Sequence, residues 1–152
     1  MEELIYIGDA IKALGDGKVG GYLVKFTDPK RTDLEGEYFT KDTDFDLEPG
    51  DRASIYFHHG LDPVLKSTRI GRGEMRKDEV GIWIEGWLEQ RGEYEEYVKR
   101  LRSDLIDAGK AGWSSGTIPS LVQRERTGNS TKITHWPIGK DATITPIPAA
   151  KS

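Results

Sequence analysis

The apolar positions of this chain come in short bursts. Most bursts are rich in β-branched and aromatic residues and are bounded by Gly, Pro or Asp, which is the pattern of strands. It predicts strands over Leu4–Ile7, Gly20–Phe26, Ser54–His59, Arg69–Met75, Val80–Leu88, Ala111–Ile118, Leu121–Arg126, Lys132–Ile138 and Thr143–Ile147. The polar triplet Lys77-Asp78-Glu79 between two of these reads as a hairpin turn. One segment has a different period. In Glu93–Ala108 the apolar residues are Tyr94, Tyr97, Val98, Leu101, Leu105 and Ile106, spaced by threes and fours as on one face of a helix. Glu95 with Lys99, and Glu96 with Arg100, place acid before base four residues apart, and Gly109 stands where a C-terminal cap belongs. Asp9–Leu14 reads as a second, short helix. Thr27–Glu48 is polar except for Glu37-Tyr38-Phe39-Thr40, and reads as a long surface excursion, either a flap on the substrate side or an ordinary loop.

Many strands with one long helix point to a mainly β fold with α, a barrel or sandwich with a helical crossover. The 18 Gly and 7 Pro are scattered, so no linker divides the 152 residues, which are expected to form a single domain. Charge changes the picture further. Asp and Glu number 26 against 22 Lys and Arg, a formal net charge of −4. This argues against a generic nucleic-acid or anionic-membrane surface while leaving room for a local basic patch. No apolar run has the length of a membrane span. There is no Cys, which removes disulfides, thiolate metal sites and cysteine catalysis together.

Candidate chemistry is sparse. Two of the three His are adjacent, His58 and His59, at the end of the apolar run Ile55-Tyr56-Phe57. The predicted strand runs through them, so alternation puts His59 on the face of Ile55 and Phe57 and His58 on that of Ser54 and Tyr56. A metal site built from His58, His59 and Asp62 would need ligands from elsewhere, so neither metal nor cofactor is expected. Gly112-Trp113-Ser114-Ser115-Gly116 offers a Ser pair among small residues, where a hydroxyl and exposed amides meet the needs of acyl transfer; such clusters also occur as plain turns. Asp141 and His135 are the candidates to orient an imidazole.

Taken in order, five stretches resemble the prohead, or capsid-maturation, serine proteases of tailed bacteriophages, relatives of the herpesvirus assemblins. They are Gly20-Gly21-Tyr22-Leu23-Val24-Lys25-Phe26, Gly36-Glu37-Tyr38-Phe39-Thr40, Tyr56-Phe57-His58-His59-Gly60, Ala111-Gly112-Trp113-Ser114-Ser115-Gly116 and Asp141 to Ala149. The resemblance implies a herpesvirus-protease-like β-barrel flanked by helices. It implies Ser114 as nucleophile, His59 as general base and Asp141 as third member, with His135 the rival because the assemblins use a second His. Two departures fall in the last motif, Asp141 for a Glu and Thr143 for a Ser. Ser115 and Gly116 are the expected oxyanion contacts, with Arg124 and Arg126 as further candidates or else a solvated strand edge. The implied activity is endopeptidase cleavage of scaffold and capsid-protein segments, inside assembling proheads in the bacterial host cytoplasm. The competing expectation is a non-enzymatic barrel that serves as a scaffold or assembly component of the virion. Capsid and scaffold proteins are the expected partners, with no nucleic acid and no membrane. The Glu93–Ala108 helix is a candidate homodimer contact, unless its apolar stripe packs on its own barrel.

Overall fold

The computed structural model describes residues 4–32, 36–48, 50–66, 68–88, 92–117, 119–139 and 141–146, without the side chains of residues 4–7, 59 and 116. The fold is mainly β with one helix. An eight-stranded sheet runs in the order β1 (Leu4–Ala10), β8 (Ala111–Thr117), β11 (Asp141–Pro146), β5 (Arg52–Phe57), β6 (Gly71–Lys77), β7 (Gly81–Leu88), β3 (Lys18–Lys25) and β2 (Lys12–Gly15). Every neighbouring pair is antiparallel except β11 with β5.

The sheet curls into a nearly closed barrel, because two consecutive strands, β1 and β2, form its two ends. β1 pairs with β8, the chain bends at buried Ile11, and β2 pairs with β3. The bend is pinned by the Ile11 N–H, which donates to the Ala111 carbonyl at 3.0 Å. Gly8 allows the seam to close. A Cβ at that position would collide with the carbonyl oxygens of Tyr22 and Leu23 on β3. The expected helix over Asp9–Leu14 is therefore replaced by two short strands, since closure supplies backbone partners that local sequence cannot reveal.

Alternation sorts the strand residues. Leu23, Ile55, Met75, Ile82, Ile84, Trp113 and Ile144 point into the barrel and are almost completely buried. Between β6 and β7 the expected hairpin forms. Asp78 accepts the N–H groups of Val80 and Gly81 at 2.8 and 3.0 Å, and its own N–H donates to the Gly81 carbonyl.

The predicted helix is present, though not uniform. A 3-10 turn at Gly92–Tyr94 leads into α1 (Glu95–Leu101), which passes into a π-helical stretch, Arg102–Ile106. Lys99 pairs with Glu95 at 3.5 Å and with Glu96 at 3.7 Å. Gly109 closes it at φ +71°, with its N–H on the Ile106 carbonyl. Val98 and Ile106 are buried in the barrel's core cluster, with Tyr94, Tyr97, Leu101 and Leu105 packed against it. The stripe faces its own barrel.

A second sheet holds β4 (Glu37–Tyr38), β10 (Ser130–His135) and β9 (Gln123–Thr127), in that order. Among the described residues of Thr27–Glu48, the part from Tyr38 to Phe45 is anchored in the core rather than lying free on the surface. Phe39 and Phe45 are buried and stacked at 5.7 Å, and Trp136 meets Phe39 edge-on at 5.4 Å. Buried Thr43 donates to the Ile133 carbonyl at 2.5 Å. A few apolar residues in a polar stretch anchor it to the core. Among the described residues, no helix is long and apolar enough to cross a membrane.

Candidate active site

Ser114 and Ser115 both lie on β8, and alternation gives them opposite roles. Ser115 shares the inward face with Trp113 and is 1% exposed, and its hydroxyl has no hydrogen-bond partner among the described residues. Ser114 shares the outward face with Gly112 and is fully enclosed, at 0% exposure. Across the sheet Ser114 pairs with Thr143 on β11, and Thr143 pairs with Tyr56 on β5. Tyr56 stands just before the histidines.

The histidines do not continue β5. The strand ends at Phe57, and His58–Gly60 form a 3-10 turn. His58 adopts φ +53°, and its half-buried ring meets Phe57 edge-on at 5.8 Å. The expectation that strand alternation separates the two rings therefore fails, because the chain leaves the sheet one residue earlier. His59 is in the turn by its backbone, and its side chain lies outside the described residues.

Asp62 follows directly and is the buried acid of this corner, at 7% exposure. It accepts the N–H groups of Val64 and Leu65 at 3.0 and 2.8 Å and the Tyr97 hydroxyl at 2.8 Å. Burial by itself would raise its pKa. The Leu65 N–H, the Tyr97 hydroxyl, the Val64 N–H and the charge of His58 outweigh burial and hold the carboxyl below the usual carboxylate range. The histidine turn is thus tied to α1 through Tyr97.

Asp141 lies elsewhere. It is exposed and level with Ser54 on β5, three residues short of Phe57, or about 10 Å at strand rise. The register brings Asp141 to one side of the Ser114 row and the histidine turn to the other. His135, on β10, belongs to the small sheet. Its Nδ1 meets the Leu121 carbonyl at 2.8 Å and its Nε2 meets Asp46 at 3.0 Å. Both partners are acceptors, so both nitrogens carry protons when both bonds form. The Asp46 hydrogen bond is the main cause of a raised pKa, opposed by partial burial and assisted by Leu121. Donor atoms of Asp44, Asp46 and His135 lie within 4.8 Å of one another, and His135 with Asp46 forms an ion pair there.

The arginines expected near an oxyanion also have local partners. Arg124 pairs with Glu37 across the small sheet, and Arg126 donates to the Gly128 carbonyl at 3.1 Å. Both lie on β9. The Gly116 backbone pairs with Ile5 on β1.

No family model, no curated protein and no solved structure matches the chain.

Proposed function

We propose that this chain is a serine endopeptidase in which Ser114 attacks the scissile carbonyl and His59 takes its proton. The observation that carries this reading is the row Ser114–Thr143–Tyr56, which runs from the candidate nucleophile to the strand that ends in the histidine turn. Two inter-strand spacings, about 10 Å, separate β8 from β5. His59 stands three residues beyond Tyr56, in the turn, which packs against β11, the strand between the two. The resemblance to prohead proteases supplies the substrate class, scaffold and capsid-protein segments, and the setting, an assembling shell in a bacterial host. Asp62 is the acid we assign to the histidine corner in place of Asp141, on account of the register and its coupling to His58. Its role is to position the turn and stabilise an imidazolium. Acylation of Ser114 expels the leaving amine with the proton held by the imidazole, and water then releases the acyl group.

Ser114 is fully enclosed, so a substrate must displace the atoms covering it. That enclosure favours a second reading, a non-enzymatic barrel that serves as an assembly component. A fluorophosphonate probe separates the two. The protease reading expects covalent labelling that Ser114→Ala removes and Ser115→Ala leaves. Absence of labelling, with the protein folded and incubated over a range of temperatures, would support the assembly role.

A further inference from the structure

The outward face of the barrel carries a second feature, a concavity of about 450 Å³ over β5, β6, β7 and β3. One row of its wall reads Lys18, Trp87 and Arg72 across three paired strands. The next row reads Glu85, Glu74 and Arg52. Trp87 is 50% exposed, and the Lys18 ammonium lies 5.3 Å from its ring centroid. Glu85 is already neutralised, by Lys18 at 2.5 Å and Arg76 at 3.8 Å. Arg52 and Arg72 are different. Both are exposed, they stand diagonally across β5 and β6, and neither guanidinium has a hydrogen bond or ion pair among the described residues. Two unpaired guanidinium forks beside a half-exposed indole form a site for a carboxylate flanked by apolar surface.

The arrangement favours a polypeptide over a nucleic acid. Trp83 and Trp87 are both on the outward face of β7, but Glu85 stands between them with Glu74 beside it. A phosphate backbone running along β7 from ring to ring would cross that acidic row. A single carboxylate held by Arg52 and Arg72 sits at the end of that row, beside Glu74 alone, where a backbone along β7 would pass both acids.

Ser114 lies on the same outward face. From β8 to β6 there are three inter-strand spacings, about 14 Å, which an extended peptide covers in about four to six residues. We propose that the Arg52–Arg72 concavity binds an acidic side chain of a polypeptide substrate, about four to six residues from the bond that Ser114 attacks. The spacing to the scissile bond rests on the protease reading; the anion site itself does not.

Binding is therefore measured apart from cleavage. Full-length Ser114→Ala protein is titrated into a fluorescein-labelled Glu/Ala peptide, its Gln/Ala counterpart and a labelled oligothymidylate, with anisotropy as readout. The Glu peptide is expected to bind about tenfold tighter than the Gln peptide. Arg52→Gln/Arg72→Gln, at exposed positions and with folding checked by circular dichroism, is expected to erase that difference. Equal affinity for the Glu and Gln peptides, retention of the preference by the double variant, or tighter binding to oligothymidylate each overturns the proposal. Wild type and the same double variant are then profiled on peptides from denatured bacterial proteins. Enrichment of Asp or Glu four to six residues from the cut, lost in the variant, supports the spacing, and cleavage without that enrichment overturns it. Peptide binding without any cleavage sinks the protease reading and the spacing together while leaving the anion site standing.

Discussion

Ser114 and Ser115 are chemically identical neighbours that one strand sends in opposite directions. Ser114→Ala is expected to abolish peptide cleavage while leaving the circular-dichroism spectrum of the folded protein unchanged. Ser115→Ala removes a buried hydroxyl that has no hydrogen-bond partner among the described residues, so its stability is expected to stay level or rise by up to about 1 kcal/mol in urea denaturation, with cleavage retained. Asp62 is the residue where charge and packing meet. Its folded-state pKa is depressed, so the stability it contributes is present above the unfolded value, near 4, and is lost as pH falls through the folded value. Urea midpoints measured from pH 6 down to pH 2 should show an acid-dependent loss in wild type that is smaller in Asp62→Asn. Tyr97→Phe removes a hydrogen bond to a charged group and is expected to cost about 1.5–3 kcal/mol. If the histidine corner is catalytic, Tyr97→Phe should lower turnover more than it raises KM, as a displaced base would.

At the scale of elements, two glycines report on two different kinds of constraint. Gly109 caps the helical segment at positive φ, so Gly109→Ala should cost about 1–2 kcal/mol with the fold preserved. At Gly8 the obstacle is the β3 backbone itself. Gly8→Ala should lower the urea midpoint by more than Gly109→Ala, because neither strand of the seam can yield without breaking its ladder. The helix, the β6–β7 hairpin and most strands were legible because each carries its period and its turn residues locally. The segment from Asp9 to Leu14 was not, since its pattern also suits a short helix. Its strand state depends on β8 and β3, which lie far away in the chain.

For the whole molecule, His135 and Asp46 join the small sheet to the segment threaded across the core. The His135 pKa is raised, so the stability it adds is fully present below the unfolded value, near 6.5, and is lost as pH rises through the folded value. Thermal midpoints of wild type and His135→Gln should differ at pH 5.5 and converge by pH 8.5. A gap that widened with pH would contradict the ion pair. Because the apolar stripe of α1 and its continuation faces the barrel, sedimentation should show no dimer that charge-reversing changes on the exposed face, such as Lys99→Glu, disrupt.

Local pattern determined the strand-rich character, the one helix and its Gly109 cap, because periodicity and capping act within a few residues. Ser114 and His59 came forward as a pair only through the resemblance of five short motifs, in order, to the prohead proteases. Tertiary structure alone decided which residues share a row. Pairing β11 parallel to β5 set Asp141 level with Ser54, away from the histidine turn, and the end of β5 at Phe57 took the two histidines out of alternation. It also gathered Arg52, Arg72 and Trp87 from three strands into one concavity within a chain of net negative charge. Strand register is fixed by long-range burial of alternate side chains, and a composition or a spacing along the chain carries no record of it.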